Sequence, residues 1–179
     1  MVNHLNKSLK FWMVSSLLLS LSTNVCAASE YAVKSAIIYK ITKFVQWPDS
    51  VADGDELKIC VVGINPFGKA LNAVNDKVSQ GKTIKISYLE NPNKDIDCHI
   101  AFLHPKAEQM KQWIQQHNEQ GILTISDIKG FAKSGGMVEL EMKGKRIGFL
   151  IHRKNASKAG FNFKSQLLRL AKIIKSQGD

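Results

Sequence analysis

Hydrophobic residues recur along this chain with two periods, and the switches between them lay out its elements. Over residues 30–45, Val33, Ala36, Ile37, Ile41, Phe44 and Val45 fall at helical spacing and predict a helix with one apolar stripe. Trp47-Pro48 ends it, because a residue before proline is pushed out of helical geometry. Residues 57–62 are nearly all apolar, the mark of a strand buried on both faces. Gly63 turns the chain, and Asn65 caps a predicted helix with Pro66 in its first turn, continuing through residues 67–74. Residues 83–89 alternate as a strand, and Asn91-Pro92 marks a loop. Residues 98–103 form a second apolar strand. Pro105 opens a helix that runs to about Glu119 and stops at Gly121, and residues 122–125 give a third apolar strand.

The pattern then changes. Ser126-Asp127 caps a short helical turn through Phe131, and Gly135-Gly136 breaks the chain. Residues 137–142 and 146–152 are two strands around Lys143-Gly144-Lys145, a hairpin signal. Residues 156–159 make a small turn or helix that Gly160 ends. Residues 163–174 are a last helix with Leu167, Leu168, Ala171 and Ile174 on one face. Alternating strand and helix point to a parallel sheet, to which the hairpin adds an antiparallel part. The fold class is therefore α/β: a single compact domain with a Rossmann-like mixed sheet, helices on both faces and a C-terminal antiparallel hairpin. No repeat, low-complexity segment or linker interrupts it.

The first residues set the compartment. Lys7 and Lys10 precede an apolar run over residues 11–21, and small residues follow up to Ala27-Ala28. This is the three-part pattern of a secretory signal peptide, cleaved after Ala27 or Ala28. The run is short for a membrane anchor, which needs about 20 apolar residues. A lipoprotein signal built on Cys26 is disfavoured by Val25, where a small residue is wanted. The expected organisation is a cleaved leader over residues 1–28 and one domain over 29–179, exported to the periplasm. Export lowers the formal net charge from +10 to +8 as Lys7 and Lys10 leave. A basic exported protein meets membrane surfaces, wall polymers and acidic proteins, not nucleic acid.

Two cysteines remain after export, Cys60 and Cys98. An even pair in an oxidising compartment predicts a disulfide, and both fall in predicted strands. Closing a loop of this length stabilises by roughly 3 to 4.5 kcal/mol in the chain-entropy model. A metal site at Cys98-His99 with His104 is opposed by geometry, since neighbours in a strand point to opposite faces. No metal and no cofactor is expected.

The stretch Gly63-Ile64-Asn65-Pro66-Phe67-Gly68 imitates a phosphate-binding loop. In the dinucleotide fingerprint the second glycine lets the backbone approach a pyrophosphate, and here Asn65 stands in that place. Pro66 removes a further N–H. Gly63 and Asn65 read instead as a strand handing over to a helix. Catalytic signatures are missing as well: no G-x-S-x-G elbow, H-E-x-x-H or C-x-x-C occurs. An enzyme is not expected. His117 lies in a polar helix tail and reads as solvated, and His104 before Pro105 reads as a turn histidine. Five residues offer partner or ligand contacts: Phe131 and Met137 around the Gly135-Gly136 turn, and Arg146, His152 and Arg153 on and after the hairpin. Beside the functional explanation stands an ordinary one: a plain connector for the loop of Phe131 and Met137, and solvation for the arginines.

Blocks of the chain can be compared with a family. Glu30-Tyr31-Ala32-Val33-Lys34-Ser35-Ala36 leading to Lys43-Phe44-Val45-Gln46-Trp47-Pro48 resembles the opening of YfiR/HmsC-like proteins. Ile59-Cys60-Val61-Val62-Gly63, Cys98-His99-Ile100-Ala101-Phe102-Leu103, and Leu123-Thr124-Ile125-Ser126-Asp127-Ile128 with Gly130-Phe131-Ala132 are similar to later blocks. So are Gly135-Gly136-Met137 and Ala159-Gly160-Phe161 through Ser165-Gln166-Leu167-Leu168-Arg169-Leu170-Ala171. One strand departs: relatives often carry an acidic or amide residue and an asparagine where this chain has Phe149-Leu150-Ile151-His152. The resemblance implies a dimeric periplasmic repressor. Its partner would be the periplasmic domain of an inner-membrane diguanylate cyclase, and its effect lower cyclic di-GMP and less biofilm, with redox state as one input. A free-standing binder of a small ligand or cell-wall fragment, or an accessory subunit of a sensor kinase or transport system, are the alternatives.

Overall fold

Two central strands show how alternation builds the core. In β2 (Glu56–Gly63), Leu57, Ile59 and Val61 face one side of the sheet, while Cys60 and Val62 face the other. In β5 (Ile100–His104), Ile100 and Phe102 join the first side and Ala101 and Leu103 the second. A strand covered on both faces needs apolar residues at successive positions, and both strands have them over residues 59–62 and 100–103. The computed structural model describes residues 25–51, 54–90, 96–104 and 109–174. The leader expected over residues 1–28 falls almost wholly outside them.

The elements follow in order. Helix α1 (Val25–Phe44) leads through β1 (Val45–Gln46) to β2, and β3 (Val78–Ser79) turns into β4 (Lys82–Leu89). After β5 come α2 (Met110–Glu119), β6 (Leu123–Ser126) and the hairpin of β7 (Val138–Lys143) and β8 (Arg146–Ile151). Helix α3 (Arg153–Lys158), β9 (Asn162–Phe163), α4 (Ser165–Leu168) and β10 (Lys172–Ile173) complete the chain. The main sheet has eight strands in the order β10-β8-β7-β6-β5-β2-β4-β3. Strands β2, β4, β5, β6 and β7 run parallel, while β7 and β8 are antiparallel, with Lys143 opposite Arg146 at the tip. Strands β1 and β9 form a separate antiparallel pair. Helix α1 packs on the larger apolar cluster and α2 on the smaller, so both faces are covered.

The disulfide joins Cys60 to Cys98, with Cα atoms 6.0 Å apart, and lies within the smaller cluster. Cys98 sits just before β5 rather than in it.

Three local expectations are corrected. Helix α1 is present, but rotated about its axis. Its buried face carries Lys34, Ser35, Ile38, Ile41 and Thr42, whereas Val33 and Ala36 are exposed. Polar residues can take core positions when they bring partners, and here they do. Lys34 donates to Asp127, and Thr42 donates to the Tyr39 carbonyl and the Ser79 hydroxyl.

The helix expected after Asn65 is a turn followed by a 3-10 helix over Ala70–Val74. Asn65 Oδ1 accepts from the Phe67 N–H at 2.9 Å, a local bond that competes with helix formation. Gly63 has φ of +92°, and a Cβ there would lie 2.6 Å from the His104 carbonyl oxygen. The glycine is thus required by the close approach of two strand ends.

The long last helix is the third correction. Only α4 is helical. Phe163 pairs with Val45 in the small sheet, and Lys172-Ile173 add to the edge of β8 beside Leu150 and Ile151. Tertiary strand pairing overrides helical periodicity at both ends of that segment.

Candidate functional site

The five residues singled out from the sequence do not converge. Phe131 is fully buried in the smaller cluster, and its ring fills the space beside Gly136, where a Cβ would lie 2.1 Å from it. Met137 is fully buried in the larger cluster, with its N–H donated to Thr124 Oγ1. Neither side chain reaches the surface. The loop between them, residues 128–136, is tied down by buried Glu139, which accepts the N–H groups of Gly130 and Ala132 at 3.0 Å each. His152 is nearly buried and caps α3, its Nδ1 accepting from the Asn155 N–H. Arg153, the first residue of α3, is exposed. Arg146 lines an open cleft.

That cleft is a groove of about 740 Å³ between α1, the tip of the β7–β8 hairpin and the segment around α4. Ile37, Lys40 and Phe44 come from α1, three to seven residues apart, so they share a face. Ile147, Gly148 and Phe149 come from β8, and Gln166, Leu167 and Leu170 from α4 and the turn after it. Buried Leu167 and Phe149 form an apolar floor, while Leu170 stands 71% exposed on the rim. Lys40, Lys143 and Arg146 supply the charge, and among the described residues no acidic side chain lines the groove. Lys143 is matched by Glu141 at 2.7 Å. The exposed stripe of α1 runs on beyond the groove through Val33 and Ala36. The helical spacing of Val33, Ala36, Ile37 and Phe44 is visible in the sequence, but it reads there as the core face.

The opposite end of α1 is built differently. Lys34, 4% exposed, bonds Asp127 Oδ2 at 2.7 Å and Glu30 at 2.5 Å. Tyr31 donates to the same Asp127 oxygen at 3.0 Å, and His104 Nδ1 meets the other at 3.1 Å. Asp127 and His104 stand at the carboxyl ends of the neighbouring parallel strands β6 and β5. Burial alone would lower the Lys34 pKa, but its bonds to Asp127 and Glu30 outweigh that and raise it, so the ammonium stays charged. Burial, then the Asp127 charge, push the Tyr31 phenol up. Tyr31 also meets Phe67 edge-on, and Phe67 meets Phe102, so the polar pin sits on an aromatic base. Among the described residues no cluster of three or more histidine, cysteine or acidic side chains is placed to hold a metal ion.

A groove with an apolar floor and no catalytic constellation is suited to binding. The comparison with protein families agrees: the YfiR/HmsC-like family model matches residues 31–172. The chain belongs to the YfiR/HmsC-like family. This is a periplasmic family, regulatory rather than catalytic. A search of curated proteins finds no match. Among the described residues no helix is long and apolar enough to cross a membrane.

Proposed function

We propose that this protein is a periplasmic repressor of an inner-membrane diguanylate cyclase. It binds one state of the cyclase's periplasmic sensing domain and so disfavours the active state, lowering cyclic di-GMP and biofilm formation. The observation that carries the reading is the family match along nearly all of the domain. The open groove beside α1 adds a surface for it, and Arg146 is on its lining. A binder shifts a two-state receptor only by its differential affinity for the two states. A recessed floor with a charged rim suits such discrimination, because a state that hides its complementary face gains nothing from it. Phe131, Met137 and His152 are not among the residues that line this groove. Arg153 is an exposed cation available to the same partner.

The Cys60–Cys98 bond holds the domain that presents the groove, and its reduction relieves repression. Assembly as a homodimer belongs to the same reading. A small ligand is the second reading. It is favoured by the volume of the groove, which lies within the roughly 300–1,000 Å³ of ligand pockets.

The test is cellular cyclic di-GMP with the gene, without it and with it restored. A rise on deletion that restoration reverses supports the reading. Unchanged levels under several growth and redox conditions contradict it and favour the ligand-binding alternative.

A further inference from the structure

We propose that the groove beside α1 receives an amphipathic helix of the partner, apolar on its inner face and flanked by carboxylates. The source of that helix rests on the regulatory reading above; its chemistry rests on the groove alone.

Shape argues first. Val33, Ala36, Ile37, Lys40 and Phe44 recur at i, i+3, i+4, i+7 and i+11, the stripe by which one helix packs on another. From Ile37 to Phe44 this stripe runs about 10 Å at the α-helical rise, close to two turns of a facing helix. The opposite wall, Ile147 on β8 and Leu170 after α4, completes a trough rather than a flat patch. A lone exposed leucine is ordinary, but Leu170 closes a continuous apolar channel. On its β10 side β8 is paired only at Leu150 and Ile151 among the described residues, so it is the apolar stripe of α1, not the state of the β8 edge, that favours a helix in the groove over an added strand.

Charge then selects the helix. Among the described residues three cations line the groove and no acid does. Lys143 is already matched by Glu141. Lys40 and Arg146 remain for the occupant. A helix flanked by lysines meets like charge at the rim and is rejected, while one flanked by glutamates is steered in and held. A bilayer carrying anionic lipid would satisfy the charges, but its flat surface does not fill a recessed floor.

The experiment uses the mature, oxidised protein and two synthetic helical peptides. Both carry leucines at i, i+3, i+4 and i+7; one has glutamates at the flanking positions and the other lysines. A scrambled glutamate peptide controls for charge alone. Fluorescence anisotropy should show the glutamate helix binding at least about tenfold more tightly than the lysine helix or the scrambled peptide, a difference of about 1.4 kcal/mol. Leu170→Asp should remove that binding without changing the thermal melt, since the side chain is 71% exposed. Lys40→Glu with Arg146→Glu should invert the preference toward the lysine helix. Equal binding of all three peptides, or no binding, overturns the proposal. So does co-sedimentation with phosphatidylglycerol vesicles through Leu170 and Arg146 when the peptides do not bind, which would assign the face to a lipid surface. Selective peptide binding alongside unchanged cyclic di-GMP on deletion would remove the cyclase and keep the helix. Absent peptide binding alongside intact repression would remove the helix and keep the cyclase.

Discussion

The two ends of α1 differ more than any other two regions of the molecule. Toward its N-terminus the helix is pinned: Lys34, Tyr31 and Glu30 converge on or beside Asp127, at the carboxyl ends of two parallel strands. Toward its C-terminus Ile37, Lys40 and Phe44 line a groove that is open among the described residues. The first stretch fixes the helix through buried ion pairs. The second carries half-buried Ile37 and Phe44 between the core and the groove, beside buried Ile41 and Thr42. The contrast teaches that one helix can seat itself with one face and offer the other for binding. The pinned end holds the open end in register with the hairpin.

The largest expected effect comes from breaking the pin. Asp127→Ala leaves Lys34 buried with Glu30 as its remaining acid, and removing one partner of a buried pair costs about 3–5 kcal/mol. Urea denaturation measures it. A loss near that of a surface pair would show that the pin is not what seats α1.

Next is the disulfide. Cys60→Ser with Cys98→Ser opens a loop with a sequence separation of 38, for a loss of about 4 kcal/mol in the chain-entropy model. Denaturation with and without reductant should show wild type falling to the level of the double variant, and repression should weaken in both. Unchanged stability and unchanged repression would sink the redox part of the reading.

Smaller still is the pH effect. Burial pushes the imidazoles of His99 and His117 below their ordinary value of 6.5, so the fold prefers both neutral. Their folded pKa values lie below the unfolded ones. Stability is therefore full above about pH 6.5 and falls as the pH drops below it. A melting temperature that declines from pH 7.5 to 5.5, with His117→Gln flattening the decline, is the expected result. Leu170→Asp sits at the bottom of the stability scale, within about 0.5 kcal/mol of wild type as a surface change. It should nevertheless have the largest effect on binding. That inversion is what separates the open end of α1 from the pinned one.

Much of the fold is legible in the sequence, because apolar alternation and turn residues are local. The double-sided strands around Val61 and Phe102 announce themselves, as does the Lys143-Gly144-Lys145 hairpin. The pairing of Cys60 with Cys98 follows from compartment and count. What is not legible depends on distant partners. Lys34 looks like a surface lysine until Asp127, 93 residues away, is brought beside it. His117 looks solvated in its polar stretch, yet it is fully buried against the Trp113 carbonyl. Residues 163–174 look like one helix because nothing local reveals that β1 and β8 will claim the two ends. The groove is hidden for the same reason: it exists only because that helix is short and α1 is turned.

The most direct test of the account is cyclic di-GMP in a deletion strain that carries either the wild-type gene or Leu170→Asp, with equal levels of folded protein in the periplasm. The account predicts that wild type lowers cyclic di-GMP and Leu170→Asp does not. Equal lowering by both would contradict it, because repression would then be running through some surface other than the groove beside α1.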